Sequence, residues 1–334
     1  IDVAEEVLRI YGYNNIEIPE KLNSSPSIPK LKTNHSIQQK ISNHLVSLGC
    51  YEIMNNSLVK REYGNFLDEK SNNHISLLNP LSNDTATLRK SLIYGAVEVL
   101  KFNHFNGTPN GIIFEWGKVY SENGNKYDQE NRLLIATTGL QNEEHWFNGK
   151  LESSFFQLKG IIESVFKSLG IYYETEMLTK DHLWEEGLSL MKGKYKLAKV
   201  GTVRKEISNL IGFKKYYFIS EIYFDNMMKI IANSKPKIKP INKFQKVFRD
   251  LSILIPEDVT MLEIKHSINQ VKSKLLKNTT LFDIYRDKKN IGKKAYGLRF
   301  EFLHSERTLK DQEVDSVMNS IQSKLEDEFN AALR

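Results

Sequence analysis

The chain has 334 residues, of which 40% are hydrophobic and 26% are charged, as in an ordinary globular protein. A single cysteine, Cys50, excludes a disulfide framework and an all-cysteine zinc site. No apolar run approaches the ~20 residues of a membrane helix, and no signal peptide is recognisable. We therefore predict a cytoplasmic protein of two or three domains, without a membrane partner.

The positive charge is concentrated near the C-terminus. Residues 236–334 contain 19 Lys/Arg and 14 Asp/Glu, whereas residues 1–235 contain 28 and 27. This asymmetry indicates a polyanionic partner for the C-terminal part, although a solvated basic face would give the same count.

Three acidic residues lie within the first six positions of the chain. The apolar periodicity over residues 2–11 predicts a helix, and the Pro and Ser content of residues 17–29 predicts a linker. Asp2, Glu5 and Glu6 occupy positions i, i+3 and i+4, which share one helical face. Converging carboxylates suit Mg²⁺, but an acidic first turn that stabilises the helix dipole explains the same residues. Because the first residue is not Met, we expect the chain to be part of a longer protein.

The region that follows is predicted to mix strands and helices. Strands outnumber helices and do not alternate strictly with them, which favours a mixed or antiparallel sheet. The sequence contains no H-E-x-x-H or G-x-S-x-G motif and no phosphate-binding loop, so it gives no support for a self-contained enzyme. The clearest helices are predicted over 36–48, 88–105 and 155–169, and the clearest strands over 51–59, 75–78, 111–120 and 133–140.

The C-terminal part has the β-α-β-β-α-β order of a ferredoxin-like domain. It follows a second linker at residues 234–242, which contains Pro236 and Pro240. Thr308 is predicted to begin the last helix in a variant of the capping box. Strands are predicted over 249–255, 280–285, 294–302 and 331–333, and helices over 261–276 and 308–329.

Alternation sorts the strand residues of this domain onto two faces. We expect the helices to cover the apolar face, which holds Leu251, Ile253, Ile255, Phe282, Ile284, Tyr296, Leu298, Phe300 and Phe302. The opposite face, called the open face here, then holds Asp250, Ser252, Asp283, Tyr285, Ala295, Arg299 and Glu301, and Leu281 has the same parity. A solvated face with cross-strand ion pairs would explain this pattern, and so would a platform for unpaired RNA bases.

A strongly cationic hairpin joins the second and third strands of this domain. It is predicted to contact phosphate through Arg286, Lys288, Lys289, Lys293 and Lys294. The stretch KAYGLRFEF also partly matches the RNP1 signature of RNA recognition motifs. That alternative would leave Phe300 and Phe302 exposed, so we consider it the weaker one.

Several stretches closely resemble the β subunit of bacterial phenylalanyl-tRNA synthetases. KFQKVFRDLSILIP, LFDIYR and GKKAYGLRFEF resemble its ferredoxin-fold anticodon-binding domain. DVAEEVLRIYGYNNI resembles the end of its B5 domain. LNPLSNDTATLRKSLIYGAVEVL, FEWGKVY and FFQLKGIIESVFKSLGI resemble its catalytic-like module. The resemblance extends over essentially the whole chain.

The resemblance implies an organisation and a function. Residues 1–20 would end a B5-like domain, 21–235 would form a non-catalytic class II synthetase-like module, and 242–334 would bind the anticodon. The chain would support charging of tRNA-Phe as part of a phenylalanine–tRNA ligase. Amino-acid activation, with its ATP, would belong to an α subunit in an (αβ)₂ tetramer. This chain alone would be inactive, and Arg89 would be structural.

The resemblance also implies site residues. Asp2, Glu5 and Glu6 match Mg²⁺ ligands of a site shared with the α subunit, and a fourth family ligand would lie upstream of Ile1. The anticodon would be bound by Asp283, Tyr285, Arg299, Ala295 and Asp250.

The sequence departs from the family pattern in three places. Phe248 stands where the family usually has Arg, and Ala295 stands where it usually has Ser. Residues 184–190 replace a Pro-Gly-Arg element. A function of another class also fits the residues, namely a general single-strand RNA-binding module joined to a protein-interaction scaffold.

Overall fold

The structure, a computed structural model, describes residues 1–18, 20–21, 25, 33–63, 74–124, 126–142, 145–147, 149–178, 182–234, 240–286 and 292–333. It divides into two compact units, called unit 1 (Ile1–Ser234) and unit 2 (Lys235–Arg334). The division falls within the Pro-containing segment that the sequence marks as the second linker. In the described parts of the chain, no helix is both long and apolar enough to cross a bilayer.

Unit 1 is built on a seven-stranded sheet. Its strands are β1 (Tyr51–Glu52), β4 (Gly111–Asn123), β5 (Lys126–Thr138), β6 (Glu174–Met177), β7 (Trp184–Lys192), β8 (Tyr195–Val203) and β9 (Tyr217–Tyr223), while β2 (Leu58–Val59) and β3 (Thr87–Leu88) pair separately. The strands lie in the order β1-β4-β5-β9-β8-β7-β6. β1 runs parallel to β4, and the other neighbouring strands are antiparallel. The mixed sheet predicted from the sequence is therefore confirmed.

The helices of unit 1 differ from the predicted ones mainly at their ends. The second predicted helix begins at Ile93 rather than Leu88, because Thr87 and Leu88 pair with β2. The predicted strand over 75–78 is reduced to one bridge between Ser76 and Thr87. The helices are α1 (Asp2–Tyr11), α2 (Asn34–Ser47), α3 (Ile93–Phe105), α4 (Phe155–Ser168), α5 (Lys205–Ile211) and α6 (Phe224–Asn233).

Both faces of the large sheet are buried. Leu133 and Ile135 of β5 pack into one core with α2, α4 and α6, whereas Leu134 and Ala136 pack into a second core with α3 and α5. Alternate residues of a strand point to opposite faces, so a strand covered on both sides is apolar at every position.

Unit 2 is built from four strands and two helices among the described residues. In chain order they are β10 (Val247–Pro256), α7 (Met261–Gln270), β11 (Leu276–Tyr285), β12 (Lys293–Phe302), α8 (Asp311–Phe329) and β13 (Ala332–Leu333). The strands form an antiparallel sheet in the order β11-β12-β10-β13. This confirms the predicted ferredoxin-like arrangement.

The sequence prediction is wrong at two helix ends of unit 2. α7 ends at Gln270 rather than Leu276, and Lys272 beyond it has the left-handed φ of 51°. α8 begins at Asp311, so Thr308 does not cap it. The helix start is instead held by Glu313, whose carboxylate accepts hydrogen bonds from the Lys310 backbone N–H at 3.1 Å and from the Arg307 guanidinium.

The helices of unit 2 cover one face of its sheet. Ile253 of β10 and Leu298 and Phe300 of β12 pack with Ile264 of α7 and Val314 of α8. The same alternation leaves the open face away from this core.

Candidate nucleic-acid interface

The strand register of unit 2 assembles the open face in rows across three strands. Asp250, Arg299 and Thr280 form one row across β10, β12 and β11. Ser252, Gly297 and Asp283 form the next row, and Leu254, Ala295 and Tyr285 form the one after it. The predicted placement of Asp250, Asp283, Tyr285 and Arg299 on one face agrees with this register.

Arg299 forms a bidentate ion pair with Asp250. Its Nε donates to Oδ1 and its Nη2 donates to Oδ2 of the carboxylate, each at 2.7 Å. These hydrogen bonds hold the pKa of the Asp250 carboxyl below its usual range. Both side chains are about half exposed, so the pair contributes little to stability, but it fixes the direction of the guanidinium.

A β-bulge in β11 overturns the predicted parity of Phe282 and Leu281. The register shifts between Leu281 and Asp283, because one strand contributes an extra residue there. Leu281 therefore pairs with Leu298 and packs against the core. Phe282 is 54% exposed, and its ring lies against Gly297 of the open face.

The bulge brings the ring of Phe282 next to Arg299. The guanidinium carbon of Arg299 lies 5.4 Å from the ring centroid, within the range of cation–π contact. A side chain at position 297 would occupy the same space, since a Cβ there would lie 2.9 Å from two ring atoms of Phe282. Gly297 therefore makes room for the aromatic ring.

Asp283 and Tyr285 are both exposed on the open face. Tyr285 is 43% exposed and lies opposite Ala295 in the register. A carboxylate that can accept from base edges therefore stands near two rings that can stack. The positions agree with the sequence, and the roles in RNA binding stay predictions.

Ala295 and Lys294 are both buried, although their predicted roles require contact with RNA. Ala295 is on the open face but only 3% exposed, so it offers almost no contact surface. Lys294 lies opposite Ile255, on the helix-covered face, and is 7% exposed. Its ammonium group donates to the Glu257 carbonyl at 2.6 Å and lies 5.0 Å from the ring centroid of Tyr296. Parity alone places Lys294 on the covered face.

The rest of the cationic hairpin is only partly described. Lys293 is exposed at the start of β12. The Nη2 of Arg286 lies 2.8 Å from the Glu257 carboxylate in an exposed ion pair, which phosphate could replace. The predicted contacts Lys288 and Lys289 lie outside the described residues.

One further exposed aromatic residue lies on the open face, beyond those that the sequence predicts there. Phe248 is 51% exposed and lies opposite Glu301. Glu301 pairs with the ammonium group of Lys246 at 2.8 Å. Phe248 has the same parity as Asp250, so alternation could have placed it. Phe282 had no such signal, because a bulge cannot be read from alternation.

The acidic residues of α1 lie on the exposed surface of the helix. Asp2, Glu5 and Glu6 are exposed, and the Glu6 carboxylate accepts from Arg9 at 3.0 and 3.1 Å. Within the described ranges, no group of three or more His, Cys, Asp or Glu side chains could hold a metal ion. The Mg²⁺ site at these residues stays a prediction, and Glu6 would have to leave Arg9 to take part in it.

Unit 1 contains a buried ion pair at Arg89. Its Nη1 donates to the Glu115 carboxylate at 2.7 Å, and Glu115 also accepts from the backbone and side-chain amides of Asn55. The Nε of Arg89 donates to the Lys118 carbonyl at 3.0 Å. These partners give Arg89 a structural role in joining β4 to the preceding segments.

The segment that departs from the family pattern at residues 184–190 forms most of β7. Trp184 and Leu190 are buried in different cores. Gly187 lies so close to β8 that a Cβ would come within 2.2 Å of the Val200 carbonyl oxygen. The segment therefore contributes to the packing of the sheet.

Comparisons with known proteins match both units. The family model described as "Phenylalanyl tRNA synthetase beta chain CLM domain" matches residues 18–224, and "Ferredoxin-fold anticodon binding domain" matches residues 242–334. The chain is similar over its whole length to phenylalanine–tRNA ligase beta subunits of Bacteroides thetaiotaomicron (33% identity) and Porphyromonas gingivalis (30% identity), and it spans 42% and 43% of their lengths.

Among solved structures, pyrrolysyl-tRNA synthetase from Desulfitobacterium hafniense matches with a TM-score of 0.47 and 14% identity, over 60% of this chain and 70% of that chain. The assignment of the chain to a family follows from the sequence matches and not from this structural similarity. Since the first family model covers more than half of the chain, the chain belongs to the phenylalanyl-tRNA synthetase beta chain family.

Proposed function

We propose that the chain works as part of a phenylalanine–tRNA ligase and that unit 2 binds the anticodon of tRNA-Phe on its open face. The observation that supports this most directly is the grouping of Phe282, Asp283, Tyr285 and Arg299 on one exposed face. Rings stack on unpaired bases, and the carboxylate and guanidinium can hydrogen-bond base edges.

The chain's own residues would bind and position RNA in this proposal, and they would not carry out chemistry. Arg299 is oriented before RNA arrives, because its hydrogen bonds to Asp250 fix the guanidinium plane. Arg286 and Lys293 would contact phosphate beside the bases. Amino-acid activation with ATP would take place on an α subunit.

Unit 1 would dock this α subunit, in an (αβ)₂ tetramer located in the cytoplasm. Large apolar side chains that are almost fully exposed on unit 1 support a protein partner, among them Met54, Leu78 and Leu81. Co-purification tests this step. Leu78→Glu/Leu81→Glu should abolish capture of the α subunit, while Ile241→Glu, in unit 2, should leave it unchanged. Equal capture by both variants would contradict the docking role.

Mg²⁺ binding, which the family resemblance implies, is not supported by the arrangement of α1. Carboxylates are suitable ligands for Mg²⁺. Glu6 would first have to leave Arg9, and the remaining ligands would have to come from outside the described residues.

A binding comparison tests the anticodon proposal. Fluorescence anisotropy would measure the affinity of the full chain for tRNA-Phe and for the same tRNA with an exchanged anticodon. We expect at least about 10-fold tighter binding of the cognate anticodon, the size of effect typical of one wrong base contact. Equal affinities would instead support a general single-strand RNA-binding module.

A further inference from the structure

A groove at the start of β11 is lined by lysines that the open face does not use. The second half of α7, the connection after it and the first residues of β11 enclose a cavity of about 230 Å³. Lys265, Lys272 and Lys277 line it, and all three are exposed. Its apolar floor includes Ile268, which belongs to the core of unit 2.

The groove has a strong local excess of positive charge. The 19 residues from Ile264 to Phe282 contain four lysines and no Asp or Glu. Among the ion pairs of the described residues, none involves Lys265, Lys272 or Lys277. The groove therefore has three ammonium groups without an acidic partner.

Two acids on the neighbouring elements have other partners. Glu301, which lies opposite Asn278 in the register, pairs with Lys246 at 2.8 Å. Glu328 of α8 accepts from the Ser267 hydroxyl at 2.7 Å and lies 3.8 Å from Lys324. Neither of these two carboxylates is paired with a lysine of the groove.

Two ordinary roles for these lysines explain only part of the pattern. Lysines near the C-terminus of α7 offset a helix-dipole charge of about −0.5, which is much less than three positive charges. Lys277 also protects the edge strand β11 from pairing with other strands. That role requires a charge on the strand, and it does not require Lys265 on the helix.

The groove and the cationic hairpin lie at opposite ends of the same strand. β11 runs from Leu276 to Tyr285, about 30 Å at ~3.4 Å per residue. Phe282, Asp283 and Thr280 of the open face lie between the two ends. A nucleic acid with its bases on the open face could therefore have phosphate groups near both cationic features.

We propose that the groove between α7 and β11 binds phosphate groups of the RNA whose bases face Asp283 and Tyr285. This inference rests on the proposed anticodon binding. It adds a second backbone contact surface, which would position the RNA and would not distinguish one base from another.

The salt dependence of binding tests this inference. Anisotropy titrations of tRNA-Phe with the full chain would be repeated between 50 and 200 mM salt. Loss of two phosphate contacts in Lys265→Gln/Lys277→Gln should reduce the slope of log K against log salt by about 1.5, for cognate and exchanged anticodons alike. The matched control Lys243→Gln/Lys310→Gln removes equal charge from exposed positions of unit 2 outside the groove and should leave the slope unchanged.

An unchanged slope in the groove variant would overturn the inference. Unit 2 could still prefer the cognate anticodon in that case, so the proposed function would survive. A different result would contradict the proposed function alone. In that case the unsubstituted chain would bind both anticodons equally, while Lys265→Gln/Lys277→Gln would still reduce the salt slope.

Lysine acetylation followed by mass spectrometry provides a test without a variant. RNA should protect Lys265, Lys272 and Lys277 from acetylation at least threefold, and it should leave Lys243 unprotected. Equal modification with and without RNA would overturn the inference. Protection by polyglutamate but not by RNA would also overturn it, because that result would indicate an acidic protein partner.

Discussion

The guanidinium carbon of Arg299 lies 5.4 Å from the ring centroid of Phe282, a contact that depends on the bulge in β11. Asp250 holds the same guanidinium through two hydrogen bonds of 2.7 Å. An exposed Arg side chain normally loses conformational freedom when it binds a ligand. Here part of that freedom is already lost, so Arg299 can meet a base or phosphate at a lower entropic cost.

The space above Gly297 predicts a specific packing defect. Gly297→Ala would place a methyl group 2.9 Å from the Phe282 ring, and we expect a loss of about 1–3 kcal/mol in stability of unit 2. Hydrogen exchange of the β12 amides measures this, because all three Trp residues lie in unit 1. Phe282→Ala/Gly297→Ala should recover most of the loss.

A matched glycine substitution controls for the change of residue type. A Cβ at Gly160 of α4 would meet no atom within 4 Å, so Gly160→Ala should be neutral or stabilising by up to about 1 kcal/mol. If Phe282→Ala does not rescue Gly297→Ala, the ring does not occupy the space above Gly297.

Stability of unit 1 should depend on the buried pair of Arg89 and Glu115. Glu115→Ala leaves the Arg89 guanidinium buried without a carboxylate, and we expect a loss of about 3–5 kcal/mol. Urea unfolding followed by Trp fluorescence measures this loss. Glu176→Ala, at an exposed position of β6, should change stability by less than about 0.5 kcal/mol. Similar losses for both variants would argue against a structural role for the pair.

The stability of the fold around the start of α8 should depend on pH through the Glu313 carboxyl. Hydrogen bonds from the Arg307 guanidinium, and then from the Lys310 backbone N–H, lower the pKa of the Glu313 carboxyl to about 2. A lowered pKa stabilises the fold above the usual value of 4.5, and this stabilisation is lost as the pH falls toward 2.

Carbon-detected NMR titration of Glu313 in Arg307→Gln tests this assignment. The pKa of Glu313 should rise but stay below 4.5, because the Lys310 N–H remains. Arg9→Gln, which removes an arginine from unit 1, should leave it unchanged. An unshifted pKa in Arg307→Gln would show that Arg307 is not the main cause.

Substitution of the adjacent residues Lys293 and Lys294 should affect different properties, RNA binding in the first case and stability in the second. Lys293→Gln should weaken binding of all RNAs alike and reduce the salt slope by about 0.8, because one phosphate contact is lost. Lys294→Gln should leave the salt slope unchanged and destabilise unit 2 by about 1–3 kcal/mol, since it removes a buried partner of the Glu257 carbonyl. Anisotropy titration and hydrogen exchange separate the two effects, and a reduced slope in Lys294→Gln would contradict the assignment.

Alternation predicted much of the interface from the sequence. Asp250, Arg299 and Asp283 lie on the open face because two strands keep a strict period of two and the third resumes it after the bulge. Phe282 could not be placed in this way. The bulge depends on how β11 pairs with β12, and that pairing is not visible in β11 alone.

The exposed fraction of a side chain is harder to predict from the sequence than the face of the sheet on which it lies. Ala295 faces the expected side, but Leu254 and Tyr285 lie on either side of it in the register and it has almost no exposed surface. The sequence predicts a phosphate contact for Lys294 because it adjoins the other cations of the hairpin, although its parity points to the covered face. The helix prediction past Gln270 failed because the left-handed Lys272 follows the helix end, a conformation that residue type does not favour.

The most direct test of anticodon binding is the affinity ratio of Asp283→Asn for tRNA-Phe and for the same tRNA with an exchanged anticodon. Asp327→Asn of α8 makes the same chemical change on the helix-covered side of unit 2 and serves as the control. We expect the ratio to fall at least fivefold in Asp283→Asn and to stay unchanged in Asp327→Asn. An undiminished ratio in Asp283→Asn would contradict base recognition by the open face.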